Sequence, residues 1–125
     1  MDNKGFTFRK RLKSFAYAFN GIWLLLRHES NAWLHSLIGL FTVAAGFLLD
    51  ISGLEWMAVA IVCGCVLSAE ALNTAIERLA DEVSLEYSEA IKRIKDLSAG
   101  GVLLMAFAAA VVGLIIFVPK LIALF

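Results

Sequence analysis

Residues 97–118 carry no charged side chain, and a helix of that length, rising about 1.5 Å per residue, covers the roughly 30 Å hydrocarbon core of a bilayer. Backbone polar groups in such a core must be satisfied within the segment, so the run is expected to be a transmembrane helix. Two shorter apolar runs, 34–49 and 56–69, precede it. The first can borrow residues 31–33, while the second crosses only by continuing through Glu70 and Asn73, which places those polar groups near one membrane face. With 61% hydrophobic residues, mean hydropathy of +0.83 and one proline in 125 residues, the chain is too apolar for an ordinary soluble domain and too short for several. The expectation is one all-α integral membrane domain over residues 1–125, with spans at about 31–49, 55–80 and 97–118.

Eleven basic and eleven acidic residues cancel, but their distribution is segregated. Arg9, Lys10, Arg11, Lys13 and Arg27 lie at the front, Lys92, Arg93 and Lys95 lie before the third span, and residues 50–55 contain only acids. The positive-inside preference puts the N-terminus and the 81–96 connection in the cytoplasm, and the 50–55 turn and C-terminus on the other side. Lys120 is a lone contrary charge. Phe8, Leu12, Phe15, Phe19, Ile22, Trp23 and Leu26 recur at helical spacing with cations between them, which describes an amphipathic surface helix over about 6–28 that meets anionic lipid. It can equally be a simple anchor. Cys63 and Cys65, two apart on a helix, cannot pair with each other and read as small apolar residues. No cleavable signal peptide is expected. Residues 50–53 read as a tight turn, and Ser84 or Ser88 as a helix cap.

Glu70, Asn73, Glu77 and Asp81 are spaced three, four and four apart, so one face of a continuous helix carries all four. Ionisable groups at membrane depth are costly and usually line a polar cavity. Glu70 and Glu77 are separated by about 10 Å of axial rise, too far to share one metal but near enough to serve one extended substrate. A carboxylate at membrane depth suits proton abstraction because desolvation favours its protonated form. One nearer water suits a hard divalent cation. The plain alternative is that these acids pair with bases or begin a wet loop. Its weak point is Glu70 with Asn73, which precede the loop.

Lys92, Arg93 and Lys95 can serve the positive-inside preference, bind lipid phosphate, or clamp a polyphosphate. Gly100 and Gly101 suit close helix packing. Glu29 stands between His28, Asn31 and His35, a weak zinc signal without CxxC or HExxH spacing. The histidines read as an interfacial polar patch. The chain lacks GxxxxGK[ST], GxGxxG, a kinase catalytic loop and GxSxG, so nucleotide chemistry here must be built from membrane helices.

The run Glu70-Ala-Leu-Asn-Thr-Ala-Ile-Glu77 with Asp81, then Glu86-Tyr87 and Lys95-Asp96, resembles the signature of the prokaryotic diacylglycerol kinase family of small integral-membrane lipid kinases. The resemblance covers nearly the whole chain. It implies a homotrimeric bundle in the bacterial cytoplasmic membrane, with active sites shared between neighbours, that transfers the γ-phosphoryl group of ATP, with Mg2+, to a lipid alcohol. Transferred residue by residue, it implies Glu70 as general base with Asn73 positioning it, and Glu29 and Glu77 as cation ligands. Lys10, Tyr17, Glu29, Glu77, Asp81, Glu86, Tyr87, Lys95 and Asp96 would meet the nucleotide. Ser14, Phe15, Trp23, Asn31, His35, Glu70 and Ala99 would meet the lipid acceptor.

The segment from Arg27 through Glu29 and Asn31 to His35, and the ending Ile116-Phe-Val-Pro119-Lys120, look more like the undecaprenol kinase branch than the proteobacterial diacylglycerol kinase branch. Phe15 stands where the latter has a small residue. Undecaprenol is therefore the expected acceptor and diacylglycerol the alternative, with no nucleic-acid partner. A rival of another class is a non-enzymatic membrane scaffold or small transporter subunit, whose acids would carry ions. ATP turnover dependent on a lipid alcohol separates the two.

Overall fold

A computed structural model describes residues 5–125, which form four helices: α1 (Phe8–His28), α2 (Ser30–Leu48), α3 (Gly53–Val83) and α4 (Glu89–Ile122). Thr7 begins α1 by accepting a hydrogen bond from the Lys10 amide at 3.3 Å, satisfying one of the free donors of the first turn. Arg27 and His28 close the helix, where cations oppose its negative end. A single extended residue, Glu29 (φ −110°, ψ 113°), separates α1 from α2. Its amide donates back to Leu25 O and its carbonyl accepts from Trp33 N, so one residue closes α1 and begins the hydrogen bonding of α2 while the chain turns.

The α2–α3 turn follows from local chemistry. Asp50 adopts the left-handed conformation (φ 51°), which aspartate tolerates better than most residues. The Ile51 amide donates to Gly46 O and the Asp50 amide to Phe47 O, the paired closure of a Schellman-type helix end with an apolar residue after it. Ser52 then starts α3 in a reciprocal cap: its hydroxyl accepts from Glu55 N at 3.2 Å, and Glu55 Oε1 accepts from Ser52 N at 2.9 Å. Glu55 also meets Lys120 of α4 at 3.1 Å. Lys120 is therefore not a free cation at that end.

α2, α3 and α4 are each long and apolar enough to cross a membrane, and most of their large apolar side chains are exposed on the single chain. The chain is an integral membrane protein. With 31 and 34 residues, α3 and α4 are about 46 and 51 Å long and outrun the apolar segments expected at 55–80 and 97–118. Residues 81–96 are consequently mostly helix, and the connection shrinks to 84–88. Ser84 does not begin a helix there: its hydroxyl accepts from Glu86 N at 3.1 Å and tightens the turn. Ser88 occupies the N-cap position of α4 without a side-chain capping bond. Pro119 does not stop α4, which runs on to Ile122, with Ala123 N bonding Pro119 O. So close to the helix end, the donor that proline lacks removes little.

α3 packs most extensively on α4 and less on α2. The apolar core lies at the Asp50 end, where Ile51, Val59 and Ile116 are buried with Trp56, Val112 and Phe117 around them. Gly46 is required there, because a Cβ on it would stand 2.7 and 2.9 Å from Trp56 ring carbons. Gly100 and Gly101, expected to admit a close helix, face open space within the chain. The buried polar groups, Glu70 and Asn73, lie towards the other end.

Candidate active site

α3 stays helical from Gly53 to Val83, so the polar stripe is one continuous face. Glu70 is 3% exposed and Asn73 9%, whereas Glu77 is half-buried and Asp81 exposed. The stripe thus grades from dry to wet along about 16 Å of helix. From α2, His35 Nε2 approaches Glu70 Oε1 to 3.1 Å. Asn73 Nδ2 donates to Glu77 Oε1 over 3.5 Å, and Asn73 Oδ1, though buried, has no partner. A buried acceptor without a donor marks a place where something else belongs.

The extended backbone at Glu29 sends its carboxylate towards α3, where Arg78 Nη2 lies 3.5 Å away. This pair ties the α1–α2 junction to the helix of Glu77. Lys95 Nζ sits 2.7 Å from Asp81 Oδ1, and Lys92 Nζ sits 2.7 Å from Asp96 Oδ2. Among the stripe acids the plain alternative of acid–base pairing therefore describes Asp81; Glu29 and Asp96, outside the stripe, are paired as well. Glu70 is different: its partner is a histidine, and it is buried. Tyr87, in the 84–88 connection, donates to Glu89 Oε1 at 2.8 Å. That bond, then slight burial and the nearby Asp96 charge, hold its phenol above the ordinary tyrosine value.

The structure thus pairs His35 with Glu70, Asn73 with Glu77, Glu29 with Arg78 and Lys95 with Asp81, while Glu86 and Tyr87 lie in the 84–88 connection and Asp96 on the first turns of α4. It places the α1 group differently. Phe15, Tyr17 and Trp23 are exposed, with Arg27 over the Trp23 ring at 5.6 Å. The Ser14 hydroxyl donates to Lys10 O at 3.1 Å. Asn31 and Ala99 are also exposed.

A cavity of about 590 Å³ begins beside His35 and Ser36 and descends between α2, α3 and α4 among apolar side chains such as Val43, Val66 and Ala110. Ser36 Oγ, buried near its mouth, has no partner. The void is polar at one end and apolar along its length. As for a cation, no three His, Cys, Asp or Glu side chains cluster among the described residues. Glu29, Glu77 and the unpartnered Asn73 Oδ1 are all hard oxygen donors. Glu77 with Asn73 beside it offers the donor type that suits Mg2+, which keeps several waters and takes one or two carboxylates plus substrate phosphates, while Glu29 is paired with Arg78.

Two contacts were not anticipated from sequence, His35 to Glu70 and Arg78 to Glu29. The first had a signal. Gly46 meets Trp56 and Gly39 meets Cys63 across the 50–52 turn, so the mirror position of His35 is Leu67, one helical turn from Glu70. The second depends on the backbone direction at Glu29, which no periodicity encodes.

The fold and the site define a three-span helical membrane protein with a carboxylate stripe that grades from buried to exposed at one end of its spans. The chain is a member of the prokaryotic diacylglycerol kinase family, whose sequence pattern matches residues 16–117. It is 38% identical over 109 residues to an undecaprenol kinase of Bacillus subtilis, covering 87% of this chain and 89% of that one. It is 35% identical over 114 residues to a diacylglycerol kinase of Synechocystis, covering 90% of this chain and 65% of the relative. A diacylglycerol kinase of Pseudomonas aeruginosa is 35% identical over 97 residues, covering 77% and 79%. The chain is accordingly a lipid kinase.

Proposed function

We propose that the protein transfers the γ-phosphoryl group of ATP to undecaprenol, giving undecaprenyl phosphate, with Glu70 as general base. The observation that carries this reading is a buried carboxylate whose contact partner, His35, lines one end of an apolar cavity. That arrangement suits an amphiphile with one hydroxyl. In the transfer, Glu70 takes the hydroxyl proton, the alcohol oxygen bonds to the γ-phosphorus, and the bond to the β–γ bridging oxygen breaks with its electrons, releasing ADP. Glu29 and Glu77 would hold Mg2+, which would supply neutralisation of phosphate charge, and Asn73 lies beside Glu77. Lys95, held by Asp81 and with further N–H donors to offer, and Lys10 contribute cationic contacts to the phosphates. Glu86, Tyr87, Asp81 and Asp96 border the nucleotide, with Tyr17 reaching it from α1. Asn31, Ser14, Phe15, Trp23 and Ala99 border the acceptor.

The protein works as a homotrimer in the bacterial cytoplasmic membrane, because one three-span subunit has too little surface to enclose both substrates. The outward face of Gly100 and Gly101 and the wide apolar exposure of α4 support this. α1 is the amphipathic surface helix. The N-terminus and the 84–88 connection lie in the cytoplasm, a placement the Lys120–Glu55 pair favours by neutralising the one contrary cation. Undecaprenol is favoured over diacylglycerol by the relative that matches nearly end to end. Transfer of labelled phosphate from ATP to both lipids, each given as mole fraction in the same mixed micelles, tests the proposal. Higher catalytic efficiency on undecaprenol is expected, and a clear preference for diacylglycerol reverses the acceptor assignment.

A further inference from the structure

Glu70 is the most deeply buried charged side chain among the described residues, and a carboxylate taken out of water needs a partner or its burial is prohibitive. The cations nearest along the stripe are engaged elsewhere, Arg78 with Glu29 and Lys95 with Asp81. The group at hydrogen-bond distance is His35, its Nε2 at 3.1 Å from Oε1. Acting as a base, Glu70 is ionised and only accepts, which puts the hydrogen of this contact on Nε2. The ring is held by its own helix. Ala32, one turn before, is fully buried, and a Cβ on Gly39, one turn after, would stand in ordinary contact with Cys63 Sγ at 3.8 Å, so α2 lies against α3 one turn beyond His35.

We infer that His35 is a positioning residue for the general base: its Nε2–H occupies Oε1 of Glu70 and leaves Oε2 to take the proton of the acceptor hydroxyl. This rests on the lipid-kinase reading with Glu70 as base, and it gives His35 a role through Glu70 in place of direct contact with the lipid. A group that orients a catalytic one governs kcat; a lost acceptor contact raises acceptor KM.

The test is a double-mutant cycle in mixed micelles with ATP and undecaprenol, on full-length protein checked for helicity and for its oligomeric state. His35→Ala is expected to lower kcat by about 10- to 100-fold, the scale for losing a supporting hydrogen bond to a functional group, with KM for both substrates within about twofold. In a Glu70→Gln background the same substitution should change kcat little, because residues acting as one unit are non-additive. An equal loss in both backgrounds, or a rise in acceptor KM alone, overturns the inference. Should His35→Ala not fold, the amides decide. His35→Gln places an N–H near the Nε2 position and is expected to recover most of kcat, whereas His35→Asn reaches only the Nδ1 position and is expected to stay impaired. Equal activity of the two overturns the inference. Near-normal kcat of Glu70→Gln by itself would instead refute the assignment of Glu70 as base.

Discussion

Replacing Lys95 by Met separates a binding role from a structural one, because the structure sets an upper limit on what the Lys95–Asp81 pair contributes to stability. At 2.7 Å and water-like dielectric, two unit charges attract by about 1.5 kcal/mol. Both side chains are more than a third exposed, 37% and 49%, so screening and the entropy of ordering two flexible chains reduce the net value to about 0.2–1 kcal/mol. A charge-assisted hydrogen bond from Lys95 to a nucleotide phosphate is worth about 1.5–3 kcal/mol, or roughly 10- to 150-fold in affinity. Lys95→Met should therefore raise KM for ATP by about that factor while the unfolding midpoint in detergent barely moves. Asp81→Asn should do less, and should add nothing in the Lys95→Met background if Asp81 acts by holding Lys95. The assay is initial-rate phosphoryl transfer at varied ATP, run beside thermal unfolding. Unchanged KM with a large loss of stability would refute the reasoning and make the pair a structural clasp between α3 and α4.

Gly46→Ala puts a methyl group 2.7–2.9 Å from Trp56 ring carbons and 3.1 Å from Ile51 Cδ1. It should destabilise the protein by about 1–3 kcal/mol, the usual cost of overpacking, measured as a lower unfolding midpoint, with kcat retained at permissive temperature. Glu77→Gln should raise the Mg2+ concentration for half-maximal rate by about tenfold or more; the same Mg2+ dependence as the parent protein would remove Glu77 from the cation site. The Tyr87 phenol is held above its ordinary ionisation by the bond to Glu89, so it stays protonated as pH rises through the neutral range. Tyr87→Phe should accordingly leave the alkaline limb of the pH–rate profile unmoved up to about pH 10. A shift of that limb would refute the reading.

The three spans were legible in the sequence because each requirement of a bilayer leaves a mark in composition: an apolar length, charged flanks, and cations gathered on one side. The helix ends were not, because α3 and α4 continue as ordinary polar helices once they pass the apolar stretch. Hydropathy falls at Glu77 and at Asp96, but hydrogen bonding does not. The stripe of Glu70, Asn73, Glu77 and Asp81 was legible for the same reason a span is, since a 3.6-residue period writes a face into one segment. What periodicity cannot write is a contact between segments.

The pairing of His35 with Glu70 depends on how far α2 and α3 slide past one another, and that register is fixed by the left-handed Asp50, the Gly46 notch that admits Trp56, and the Ser52–Glu55 cap. Each of these lies at the far end of the hairpin from the carboxylate it aims. A register change of one helical turn would take the imidazole from Glu70 to the level of Leu67 or Asn73. Glu70 would then be a buried charge without its partner. The turn that looks purely structural is therefore coupled to the His35–Glu70 contact about 25 Å away along α3.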